Sequence, residues 1–148
     1  MSVWSETVII DAPIDLVFET ISKPEKFMEA VPHIKSVEFL SEKHSCPGTR
    51  FKETRLMGKR EASTVLEITD QEKNSHIRMV SKAGGTTWDS TFSTESEVDG
   101  VQLRLVMTAI PTNFLARITN RMIKGMLERA LKKDMLAIKE YCESEKNN

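Results

Sequence analysis

The chain has 148 residues, the length of one domain and enough to bury a core without disulfide or metal staples. Lysine and arginine number 21 against 22 aspartates and glutamates, a formal net charge of −1, so the basic excess needed to neutralise nucleic-acid phosphates is missing. Hydrophobic residues make up 39%, as in ordinary globular proteins, yet no apolar run reaches the ~18–20 residues that span a bilayer.

Residues 3–10 read as a strand, stopped at Asp11-Ala12-Pro13 because proline has no N–H for a ladder. Pro13 opens a short helix whose Ile14, Val17, Phe18 and Ile21 share one side at i, i+3, i+4 and i+7. Ser22-Lys23-Pro24 breaks it and starts a second short helix, which buries Phe27, Met28 and Val31 and ends at Pro32. The period then becomes two over residues 34–40. After a loop ending in Cys46-Pro47-Gly48 come five more alternating runs, 49–57, 61–69, 76–82, 87–96 and 101–110. Short turn-like breaks separate these five: Gly58-Lys59, Glu72-Lys73-Asn74, Ala83-Gly84-Gly85 and Asp99-Gly100. Such connections imply an antiparallel meander.

From about residue 112 to 143 the period returns to 3.6. Ile123, Leu127, Leu131, Met135, Ile138 and Cys142 form one row, with Met122, Met126, Ala130 and Tyr141 beside it. Arg117, Arg121, Arg129, Lys132, Lys133, Lys139 and Glu140 take the other side, so this is a long amphipathic helix with one broad apolar face. Residues 143–148 are expected to fray. The whole chain, 1–148, reads as a single α+β domain. Cys46 and Cys142 have neither CxxC spacing nor histidine partners, so two free thiols and no metal site are expected. With no leader pattern in the opening residues, a cytoplasmic location is expected.

This order, and four segments within it, resemble the START/Bet v1-like (SRPBCC) superfamily, nearest its bacterial polyketide cyclase/dehydrase-like group. The segments are residues 10–18, with the Asp11-Ala12-Pro13 entry; 21–27, with Ser22-Lys23-Pro24-Glu25; 31–38, opening Val31-Pro32-His33; and 47–55, opening Pro47-Gly48-Thr49. The resemblance implies a helix-grip fold, in which a seven-stranded curved antiparallel sheet wraps a long C-terminal helix over an apolar cavity. It leaves function open, because this fold hosts carriers, receptors, cyclases and chaperone activators.

The residues themselves narrow the choice. If Phe51 points inward, period two places Glu53, Arg55 and Met57 on the same wall. Glu53 and Arg55 then form either a solvent-reachable ion pair, an anchor for a polar ligand head, or, for Glu53, a general base. Trp88, Ser90 and Phe92 share a face by the same rule, as ligand wall or as plain core. Met122 and Met126 extend the candidate wall onto the long helix, since flexible thioethers suit an irregular cavity. His33, His44 and His76 read as isolated. No cofactor motif occurs. The expectation is a binding or transport protein for a hydrophobic lipid, polyketide or isoprenoid-like molecule. The alternatives are a polyketide cyclase or dehydratase using Glu53, and an interaction protein such as a chaperone activator. The basic stretch Arg117, Arg121 and Lys124 allows membrane contact but is also the default outer face of such a helix.

Overall fold

The computed structural model describes every residue from Met1 to Asn148. Strand β1 (Ser2–Ile10) is followed by α1 (Ile14–Ser22) and α2 (Pro24–Ala30). Six strands then run in succession: β2 (Ile34–Phe39), β3 (Arg50–Met57), β4 (Arg60–Glu72), β5 (His76–Ala83), β6 (Thr86–Glu97) and β7 (Gly100–Pro111). Helix α3 (Phe114–Glu145) closes the chain. The sheet has seven strands in the order β1-β7-β6-β5-β4-β3-β2, with every neighbouring pair antiparallel. This is the expected helix-grip architecture.

The topology dictates where the core forms. Consecutive strands β1 and β2 lie at opposite edges of the sheet, so α1 and α2 must carry the chain across it. They cross at one end and close it. There Val17, Phe18 and Ile21 of α1 join Ile10, Phe51, Ile68, Ile77, Phe92, Val101 and Leu103 from the strands, and Met135, Ile138 and Cys142 from α3, in one buried cluster. Gly100 opens β7 where φ is +136°, and a Cβ there would stand 2.2 Å from the Ile10 carbonyl oxygen. Only glycine lets β7 start this close to the end of β1.

Strand β4 runs past the expected end at Thr69. Its pairing with β5 shifts register between Ile68 and Asp70. The extra residue of this bulge reverses the inward and outward positions, so the alternation that marks a strand in the sequence breaks there although the strand continues. The hairpin beyond it corrects the reading of His76. The His76 Nε2 lies 2.8 Å from Asp70, its Nδ1 lies 3.0 Å from the Ser75 hydroxyl, and Glu72 is its cross-strand partner.

Helix α3 begins with the Asn113 side chain accepting from the Ala116 N–H at 2.8 Å. Its far end does not fray from residue 143 as expected but stays helical to Glu145, because it is tied back to the start of the chain. Glu143 accepts from the Asp11 N–H, Lys139 donates to the Ile9 carbonyl, and Lys146 reaches the Asp11 carboxylate. No helix is long and apolar enough to cross a membrane.

Candidate functional site

The pairing of β3 with β4 runs without interruption from Arg50 to Met57. Phe51, Glu53, Arg55 and Met57 therefore do share the concave face. Phe51 is sealed into the core, whereas Met57 is exposed near the tip of the hairpin, outside the cluster. Between them, Arg55 is held on two sides. Its Nε donates to Glu53 Oε1 at 2.6 Å, and its Nη1 donates to Asp134 Oδ2 of α3 at 2.8 Å. The side chains of Glu53 and Asp134 keep only 12% and 10% of their exposure, and that of Arg55 keeps 30%.

Burial pulls the Arg55 pKa down, but Glu53 and Asp134 outweigh it and hold the guanidinium above its ordinary value. It is a permanent cation. A charge so desolvated is tolerable only with partners this close. Each carboxylate uses one oxygen on Arg55 and retains a second that can face a ligand. The sequence reading missed Asp134. The signal was present, because an acid in step with Leu127, Leu131 and Ile138 interrupts an apolar helical row, as Glu53 interrupts a strand wall.

On β6 the shared face of Trp88, Ser90 and Phe92 is also observed. Phe92 is buried and meets Phe27 edge-on, with ring centroids 5.9 Å apart. Trp88 and Ser90 are half-buried. The Trp88 ring lies 6.1 Å from that of Trp4, and its Nε1 donates to the Ala83 carbonyl at 3.3 Å. Trp4 was legible only as a strand residue. It is buried, and its Nε1 donates to the Lys124 carbonyl at 3.1 Å, pinning β1 to the middle of α3.

Met122 and Met126 are not on this face. The inward side of α3 carries Ala116, Asn120, Asp134, Met135 and Ile138, all buried, with Ile123, Leu127 and Leu131 half-buried among them. Met122 is two positions, about 200°, beyond Asn120 and is 80% exposed, and Met126 is 47% exposed. The apolar positions of α3 thus split into two faces, where periodicity alone merged them into one.

These residues divide the space beneath α3. The core cluster fills the end closed by α1 and α2. At the other end Trp4, Ala109 and Ala116 are buried outside that cluster, and the Asn120 amide donates to the Thr86 hydroxyl at 3.0 Å. Between the two lies a strip of half-buried side chains, Trp88, Ser90, Met107, Ile123 and Leu127, with the Glu53–Arg55–Asp134 group on its β3 side. The expected apolar wall is therefore a partly exposed strip, a trough beneath α3 in which these side chains are not fully covered by the protein. Two other cavities lie away from it. One of about 530 Å³ opens beside the first half of α3, and one of about 300 Å³ surrounds the β5–β6 turn.

The family described as "Polyketide cyclase / dehydrase and lipid transport" matches residues 1–143. Among solved structures, TTHA0849 from Thermus thermophilus is similar at 15% identity, covering 94% of this chain and 95% of that one, with a TM-score of 0.75. Ara h 8.0201 is similar at 14% identity over 97% and 98% of the two chains, with a TM-score of 0.76. One half of StfQ, a di-domain ARO/CYC protein from the steffimycin biosynthetic pathway, is similar at 11% identity. That match covers 96% of this chain and 50% of that one, with a TM-score of 0.76. At these identities the likeness is one of fold. No curated protein matches the sequence.

Proposed function

Because the chain belongs to the polyketide cyclase/dehydrase and lipid transport family, we propose that it binds an elongated hydrophobic small molecule in the trough under α3, without turning it over. The observation that carries this reading is the half-buried apolar strip beside a buried ion group. Trp88, Met107, Ile123 and Leu127 offer apolar surface that the protein's own core leaves uncovered. Burying that surface against a ligand is favourable at about 25 cal/mol per Å². The free carboxylate oxygens of Glu53 and Asp134 then receive a hydroxyl or other donor at the polar end of the ligand.

A binding role suits this geometry better than catalysis. A general base gives up its negative charge on taking a proton, whereas Glu53 is one of the two anions that compensate the Arg55 guanidinium, at 2.6 Å. The two unpaired cysteines suit a reducing, cytoplasmic setting.

Nile red titration tests the reading. The wild-type protein should bind the dye with a Kd in the micromolar range, and Trp88→Ala or Leu127→Glu should weaken binding about tenfold, the effect of losing roughly 1.4 kcal/mol of contact. Unchanged binding in both folded variants would remove the trough from the site. A poly-β-ketone thioester should be recovered intact after incubation with the wild-type protein. Consumption that disappears in Glu53→Gln would establish the cyclase reading in its place.

A further inference from the structure

The second apolar face of α3 has no partner within the chain. Phe114 and Leu115 are each 73% exposed, and Ile118, Met122 and Met126 continue the row outward at spacings of three and four. Between this row and the inward side of the helix, along one flank, stand Arg117, Arg121 and Lys124, and none of the three is within ion-pairing distance of a carboxylate. They line the cavity of about 530 Å³ together with Met1, Ser2, Pro111 and Asn120. Over residues 114–133 Glu128 is the only acid, and Arg129, Lys132 and Lys133 add further cations. The chain as a whole carries a formal charge of −1, so this half-helix is a local basic patch on a protein that is acidic elsewhere.

We infer that the outward face of α3 over residues 114–126 docks on an anionic lipid bilayer. The helix lies in the interface plane, with Leu115, Ile118 and Met122 entering the acyl boundary and Arg117, Arg121 and Lys124 receiving lipid phosphates in the cavity at their side. An exposed apolar row flanked by cations is the pattern of a helix that lies on a membrane. Charge complementarity selects this occupant over a second copy of the chain. A two-fold contact through this face would bring the three cations against their own equivalents. The inference stands apart from the proposed ligand site, because the trough lies on the opposite side of α3.

Vesicle flotation tests it. The intact protein should float with vesicles of phosphatidylcholine and phosphatidylserine in low salt, and not with phosphatidylcholine alone. Arg117→Gln/Arg121→Gln/Lys124→Gln should lower the partition coefficient about a hundredfold, given roughly fivefold for each cation at such a surface. Leu115→Glu/Ile118→Glu should abolish flotation while leaving Nile red binding unchanged, which separates this surface from the trough. The altered side chains are exposed, and thermal melts matching the wild type confirm that both variants fold. Equal flotation with neutral vesicles, or no loss in either variant, would overturn the inference. So would a wild-type dimer in sedimentation that Leu115→Glu/Ile118→Glu dissociates, because the face would then belong to a second copy.

Discussion

The two ends of α3 meet the sheet in different ways. Toward its C-terminus, Met135, Ile138 and Cys142 are sealed among side chains from α1 and the strands. Toward its middle, Ile123 and Leu127 stay half-buried above Trp88, Ser90 and Met107, held over the sheet by polar pins at Trp4, Asn120 and Asp134. The first end is held by hydrophobic packing, which is non-directional and closes every gap it can. The second is held by hydrogen bonds at fixed lengths, which set a distance and leave room. A domain that must fold and also keep an accessible apolar surface can assign the two tasks to different ends of one helix.

The contrast can be broken by mutation. Ile138 is fully buried, so Ile138→Ala should cost about 3 kcal/mol, whereas Leu127→Ala should cost less than about 1.5 kcal/mol. Urea melts of the two variants compare the ends directly, and equal losses would mean that the middle of α3 is packed as tightly as its end. The polar pin at Asp134 sharpens the comparison. Arg55→Met leaves two carboxylates facing each other in a half-dry site and should cost about 2 kcal/mol. Arg55→Met/Glu53→Gln/Asp134→Leu should cost less than Arg55→Met alone, because no uncompensated charge remains. Additive losses in the same melts would contradict the three-way coupling.

The smallest effect is at high pH. Burial, followed by the hydrogen bond to Glu29, pushes the Tyr141 phenol up to about 12 from an ordinary value near 10. The folded protein then keeps this proton at pH values where the unfolded chain has lost it. The stability it contributes is complete below about pH 10 and declines as pH rises toward 12. Because the Glu29 side of the contact is exposed, the loss should be only a fraction of a kcal/mol. Melts at about pH 9 and about pH 11.5 should show it in the wild type and not in Tyr141→Phe.

Much of the fold is legible in the sequence. The prolines at 13, 24 and 32, the change of period after Pro32 and the Asp99-Gly100 turn mark the elements, because these are local properties of the backbone. The shared faces of Phe51, Glu53 and Arg55, and of Trp88, Ser90 and Phe92, follow from strand period alone wherever no bulge intervenes. The bulge between Ile68 and Asp70 marks the limit of that rule, since it is set by pairing with β5 and not by the residues of β4 alone.

The sequence by itself determined the order of strands and helices and, along each unbulged strand, which residues share a side, because periodicity and turn chemistry act over a few residues. Only the tertiary structure decided which side of α3 faces inward, and so brought Asp134 to Arg55 while turning Met122 out to solvent. The physical reason is that the apolar positions of α3 extend around most of its circumference. Its rotation is chosen by partners far away in the chain, foremost Arg55 on β3, 79 residues from Asp134, and Trp4 on β1, 120 residues from Lys124. No local pattern can encode contacts over such separations.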